Sequence, residues 1–426
     1  MLETSKKPRR STSYAVSFPT LPTITVQPRS VALSQKTLRH DILLLEYPVT
    51  SEKWVNVIKT GIPIQFDWNQ LGISNTFYGY VSYISNEVAS QQTKMMKIYC
   101  LGSSFPLKSK KPRVFIEMTI PQVVAEIVSE YGLNFIGEDN SAVFEQLIIS
   151  GISDWEWITE QATKLGYCII VDGLDFIFKS MDTVIDQSVS NAPVLSFTES
   201  DIPTGVSPWD RTLDYFEVLN GEFIETNRQS VRTTKLLGGV NPYTTEVITV
   251  SASPETVGKN VRLNVGETLF EEQVTTQVVP NAEFGEVMSK GAAHMARFTL
   301  PARVKCQGDP RIRPYSPVYV QGTGKNTDGY WVAKEVKHLF HRIGEYQIEM
   351  TIATDGVGEN NYDQFRQQGF NIAGKIDVSA AVNGGINTNG NSRRSKVYLE
   401  TPVGIFAEQN QGFKRTPTTW KAVNKK

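Results

Sequence analysis

Ser153-Asp154-Trp155-Glu156-Trp157-Ile158 opens, and Leu165-Gly166-Tyr167 closes, the stretch on which the reading of this chain turns. Ser153 followed three residues later by Glu156 is a capping box, in which each residue satisfies a backbone N–H that the first helical turn leaves without a partner. Trp155, Ile158, Ala162 and Leu165 recur at helical spacing, and Gly166 supplies the left-handed residue that ends a helix. Tyr167 to Val171, the turn pair Asp172-Gly173 and Leu174 to Phe178 then read as a β-hairpin.

The same grammar stands upstream. Thr119 with Gln122 is a second capping box, Val124, Ile127, Val128 and Tyr131 share a helical face, and Gly132 ends it. The basic stretch Lys108 to Pro112 reads as a linker before it, so residues 113–182 are expected to form one compact α+β unit.

On either side the periodicity changes to two. Between 29 and 107, His40 to Tyr47, Ile62 to Trp68, Thr76 to Ile84 and Lys94 to Leu101 alternate and are bounded by Gly, Pro, Asn or Ser, the pattern of a small barrel. Between 193 and 355, Val194 to Phe197, Tyr215 to Leu219, Glu246 to Val250, Val318 to Val320, Tyr330 to Lys337 and Tyr346 to Ile352 predict a second barrel. A helix inserted in it starts near Asn281 and carries Phe284, Met288 and Met295. Residues 1–28 are rich in Ser, Thr and Pro, and Pro8, Pro19, Pro22 and Pro28 make them an extended N-terminal arm. The expected class is α+β, mainly β: two similar small barrels flanking an α+β unit, with extended arms at both ends.

Residues 356–426 form the second arm, with a linker at 382–392. Beyond it come Arg393, Arg394, Val397, Tyr398, Leu399, Ile405 and Phe406, then a basic end. Those apolar clusters are too short to bury a core and too apolar for a purely solvated tail, so they are read as partner-docking residues that add a strand to a neighbour's sheet edge. A solvated tail without a role and contact with nucleic acid through the basic residues are the alternatives.

The 426 residues, with 43 Lys plus Arg against 44 Asp plus Glu, exclude a single small binding module and argue against a whole-chain nucleic-acid binder. Cys100, Cys168 and Cys306 are far apart and read as buried hydrophobes. With no secretory signal and no apolar run near 20 residues, the chain is expected to fold in a reducing cytosol, without membrane insertion.

Catalytic motifs are hard to find. Gly322-Thr323-Gly324-Lys325 lacks the hydroxyl residue after Lys that a phosphate loop needs, and reads as a strand-to-strand turn. His338 and His341 have a zinc-ligand spacing, yet an extended strand sends them to opposite faces. His294, in the candidate helix, reads as an amphipathic surface residue. Gly151-Ile152-Ser153-Asp154 and Gly205-Val206-Ser207-Pro208 lack the second Gly of a nucleophile elbow. Trp54, Trp68, Trp155, Trp157 and Trp209 read as packing residues rather than a stacking platform. No catalytic residue, metal or cofactor is expected.

Three stretches together resemble the baseplate hub family of contractile phage tails, related to the late control protein D family and to the N-terminal half of type VI secretion spike proteins. They are Met118 to Val124 with Tyr131-Gly132-Leu133; Ser153 to Ile158 with Leu165-Gly166-Tyr167; and Gly308-Asp309-Pro310-Arg311-Ile312-Arg313-Pro314 with Gly329-Tyr330-Trp331-Val332 and Val336-Lys337-His338. They cover roughly residues 30–355 in the family's order. The chain departs from the pattern at Tyr315-Ser316-Pro317, where the family often has Gly, and over the longer segment 220–280.

The resemblance implies a structural part rather than an enzyme. Three chains with two barrels each would form a homotrimeric, pseudo-sixfold ring joining a sixfold tail tube or distal tube protein to a threefold spike. The spike would be a separate chain, since no needle-like segment follows residue 355. Tape-measure and baseplate wedge proteins are further candidate partners, and genomic DNA would pass only transiently through the channel. The implied location is the virion tail baseplate, assembled in the host cytoplasm. Readings from other classes are a tail-tip peptidoglycan hydrolase and a host-surface carbohydrate-binding protein.

Overall fold

The computed structural model describes residues 12–357 except 23, 25, 49–56, 89–93, 141, 198–210, 220–231, 241–246, 253–256, 258–260, 263–269, 275–280, 299, 325–326 and 342–344. Six strands form the first β unit: β1 (Thr12–Ser17), β2 (Ser30–Lys36), β3 (Ile42–Pro48), β4 (Pro63–Gln70), β5 (Ile73–Val88) and β6 (Lys94–Gly102). The period-two runs place one face of each strand inside: β4 alternates half-buried and buried through its whole length, with Ile64, Phe66 and Trp68 inward. The strands run in the order β1-β4-β5-β6-β3-β2. Within the segment expected as an arm, Thr12–Ser17 is extended but is an edge strand, paired to β4 from Thr12↔Gln70 to Ser17↔Gln65.

The middle unit follows. β7 (Arg113–Thr119) leads into α1 (Ile120–Ser129), β8 (Asn134–Gly137), β9 (Val143–Ile149), α2 (Asp154–Leu165), β10 (Tyr167–Asp172), β11 (Asp175–Ser180) and α3 (Met181–Val189). Both expected capping boxes are present, Thr119 with Gln122 and Ser153 with Glu156. Gly166 caps α2 in the left-handed conformation, its N–H donating to the carbonyls of Ala162 and Thr163. The hairpin turn lies one residue later than the Asp172-Gly173 pair suggests. Asp172 still pairs with Asp175, so Gly173, at φ 62, and Leu174 make the turn. Glycine takes the first turn position because an L side chain there would be strained. β8 adds to β11 in parallel, giving the sheet β10-β11-β8, while β7 and β9 form a separate antiparallel ribbon.

The remaining strands are β12 (Val194–Ser196), β13 (Arg211–Val218), β14 (Arg232–Val240), β15 (Val247–Ala252), β16 (Val261–Arg262) and β17 (Phe270–Val274). After α4 (Ala282–Arg297) come β18 (Leu300–Gln307), β19 (Pro317–Gln321), β20 (Gly329–His341), β21 (Tyr346–Thr354) and β22 (Gly356–Val357). β20-β19-β12-β13-β18-β21 closes into a six-stranded barrel, because β21 pairs with both β18 and β20. The mainly β, α+β class is therefore as the sequence suggests.

Two features position everything else. First, β20 has 13 residues and belongs to both β units. Its first part pairs with β19, a register shift follows between Ala333 and Glu335, and its second part pairs with β2 from Lys36↔Glu335 to Ser30↔His341. One apolar core consequently runs through both units, with Phe340 of β20 packed on Tyr14 and Phe66. Second, α4 is capped by Asn281, whose side chain accepts the N–H of Phe284, and it packs Phe284 and Met288 on the middle unit, while Met295 lies against the cluster that includes Ile170 and Val332. Phe284 and Met288 join the core of α1 and α2, and Gly291 touches Gly166.

Candidate functional site

The three units meet at one segment, Gly308-Asp309-Pro310-Arg311-Ile312-Arg313, between β18 and β19. Arg211, the first residue of β13, and Asp309 are both 0% exposed and lie 3.4 Å apart. Arg211 Nε donates to the Gly308 carbonyl at 2.9 Å, and its Nη2 reaches Gln70 Oε1 of β4 at 3.5 Å. Gln70 in turn donates to Thr12 Oγ1 of β1 at 3.2 Å. Arg311 adds a second guanidinium to Asp309 at 2.9 Å. Asn75 of β5 donates to the Pro310 carbonyl, and Arg313 pairs with Asp172 of the hairpin at 2.5 Å. A buried carboxylate flanked by two guanidiniums is affordable only because each charge has a partner.

Beside this junction His338 is buried, its Nδ1 2.8 Å from Tyr346 Oη, and burial lowers its pKa to about 4, so the ring is neutral at pH 7. His341, three residues on, is exposed, on the opposite face of the strand. Asp41 faces a cavity of about 20 Å³ lined by Gln35, Trp68, Tyr78, Ser104 and Asp172. Burial raises its pKa to about 7, against the opposing hydrogen bond from Gln35 at 2.7 Å.

A second charged clamp holds the ribbon to the helices. Arg113 of β7 donates to Asp154, the first residue of α2, at 2.9 Å and to Glu130 at 2.5 Å. The guanidinium holds the Glu130 carboxyl down at about 2. The inner face of the ribbon, Phe115, Met118, Phe144 and Leu147, packs on the helical core. Its outer face is also apolar: Val114 is 57%, Ile116 67% and Ile148 63% exposed.

Of the residues singled out by sequence, Trp68, Trp155 and Trp157 are buried packing residues, while Trp54 and Trp209 lie outside the described residues. All three cysteines are buried and form no disulfide. Gly322-Thr323-Gly324 belongs to the turn between β19 and β20, where Asp328 Oδ1 accepts the N–H groups of Thr323 and Gly324. His294 corrects an expectation: it is buried, with Nε2 2.7 Å from Asp182 Oδ2 of α3. Residue 294 is three positions after Gly291, so it shares the helix face that meets the middle unit rather than the solvent. The docking residues Arg393, Arg394, Val397, Tyr398, Leu399, Ile405 and Phe406 lie outside the described residues. Among the described residues no three His, Cys, Asp or Glu side chains are grouped to hold a metal, and no helix is long and apolar enough to cross a membrane. Arg211 escaped sequence reading because its partners lie 141 and 98 residues away, at Gln70 and Asp309. Its only signal was the Asp309 motif at the far end.

No protein-family model matches the chain, and no curated protein matches it in sequence. In structure it is similar to the tail protein from Neisseria meningitidis MC58, at 12% identity and a TM-score of 0.54, over 82% of this chain and 98% of that one. It is similar also to the 43 kDa tail protein of prophage MuSo2 from Shewanella oneidensis, at 12% identity and a TM-score of 0.53, over 81% and 98% of the two chains. At that identity the likeness is one of fold.

Proposed function

We propose, from a fold shared with two tail proteins over almost their whole lengths, that this chain is a structural component of a phage or phage-like tail, acting as a baseplate hub. That shared fold is the observation that carries the reading. In it the chain is a homotrimer with a central channel, two β units per chain giving six tube-facing elements above and three chains meeting a separate spike below. The tail tube or distal tube protein, the spike, the tape-measure protein and the wedge proteins are its partners, DNA passes only transiently, and the C-terminal arm docks on a neighbour. The chain carries out no reaction of its own. The shared strand β20 and the buried Arg211–Asp309 junction support a mechanical role, since both fix the two β units relative to each other.

The test is co-expression of the full chain with a candidate trimeric spike chain, followed by mass determination in solution and imaging of assembled tails. Three copies per spike trimer are expected at the base of the tube. A stable dimer, or a particle monomeric in the assembled tail, would overturn the hub reading, and a clearing band in a peptidoglycan zymogram would overturn the non-enzymatic one.

A further inference from the structure

The β7–β9 ribbon is the surface whose chemistry the fold itself leaves unused. Among the described residues each strand pairs only with the other, so each keeps one open edge. The cross-strand pairs on the outer face are Val114↔Ile148 and Ile116↔Gln146, so three of the four outward side chains are branched aliphatics. An edge blunted against association would carry charge on that face instead. At the far end the ladder is interrupted: Glu117 has φ 53, a left-handed backbone that costs a non-glycine residue, and both Glu117 and Glu145 are exposed. Ile116 lies beside this acidic step, one outward pair beyond Val114 and Ile148.

The sequence holds one segment that complements the surface. Arg393 and Arg394, with Lys396, precede Val397-Tyr398-Leu399 and Val403-Gly404-Ile405-Phe406, which places three cations just ahead of β-forming apolar residues. The 35 positions from 358 to 392 separate it from the last described strand. A coil of that length would span roughly 30–35 Å. We propose that the ribbon is the acceptor for residues 393–406. Val397, Leu399 and Ile405 cover Val114, Ile116 and Ile148, backbone groups complete an open edge, and the arginines face Glu117 and Glu145. This rests on the reading that the C-terminal arm docks within the assembly, and adds where it docks.

The experiment uses the full chain, whose own cysteines are buried. Ile116→Cys combined with Leu399→Cys should form a disulfide under mild oxidation about tenfold faster than Glu126→Cys with Leu399→Cys, where position 126 is exposed on α1. Equal rates for the two pairs would overturn the proposal. A second readout separates it from its premise: incorporation into tails is compared for wild type, for deletion of residues 390–426, and for Ile116→Asp, with circular dichroism checking that each is folded. Loss with both changes supports the ribbon as acceptor. Loss with the deletion but not with Ile116→Asp overturns the ribbon and leaves the docking arm standing, whereas no loss with the deletion sinks both.

Discussion

The carboxyl of Asp41 meets Gln35 and a cavity too small for more than about one water, so its charged form is poorly solvated. Its pKa is raised from 3.8 to about 7 by burial, with Asp172 adding and Arg313 opposing. Between these values the folded chain holds a proton that the unfolded chain has released, so this group's contribution is full below pH 3.8 and is lost as pH rises through about 7. Urea midpoints measured from pH 5 to 8 should fall less steeply in Asp41→Asn than in wild type, and parallel curves would refute the assignment. Tyr315 is a second unusual buried residue. It sits at φ 71 just before β19, the conformation a glycine would take there, yet its ring is buried against Ile170, Ile185 and Val332. Tyr315→Gly relieves about 1 kcal/mol of backbone strain. It also removes a core ring, which costs about 3–5 kcal/mol. A net loss of about 2–4 kcal/mol in denaturant unfolding is expected, and a stabilised variant would show that the ring contributes little.

At the scale of elements, α2 and α4 approach so closely that a Cβ built on Gly291 would lie 2.5 Å from the Gly166 nitrogen and the Leu165 carbonyl carbon. Helix propensity alone predicts that Gly291→Ala stabilises by up to about 1 kcal/mol. The contact predicts the reverse, a loss of about 1–3 kcal/mol, because backbone rather than a flexible side chain must move. Thermal unfolding of that single variant decides between them. The same pair explains which elements the sequence displayed. The boxes Thr119/Gln122 and Ser153/Glu156, the stop at Gly166 and the alternation of β4 are local patterns, readable within a few residues. By contrast, β1 has only edge status to mark it, and the face α4 buries depends on a partner more than 100 residues upstream. The ribbon escaped because Val114, Ile116 and Ile148 make much of its outer face apolar as well, which blurs the alternation that identifies a strand.

Across the whole molecule, β20 makes the two β units continuous, and their shared core includes Phe66 and Trp68 on one side and Trp331 and Phe340 on the other. Sequence reading expected separate barrels because pairings such as Leu33↔His338 join positions some 300 residues apart and leave no local trace. The consequence is mechanical. A force applied to one unit is transmitted through backbone hydrogen bonds and through Arg211, whose guanidinium bridges the Gly308 carbonyl, Asp309 and Gln70 in a site closed to water. Removing that guanidinium leaves Asp309 with Arg311 alone and leaves the Gly308 carbonyl without its donor. Breaking a buried charged pair costs about 3–5 kcal/mol. Arg211→Ala should therefore lower the unfolding free energy by that amount and shift the signals of both units together, because one core cannot unfold by halves. Among the seven tryptophans, the fluorescence of Trp68 and of Trp331 is isolated as the difference between wild type and Trp68→Phe or Trp331→Phe, which gives one reporter for each side. Coincident transitions displaced by the same urea increment are expected, and a variant in which only one reporter shifts would show that the two β units are independent domains joined at an edge.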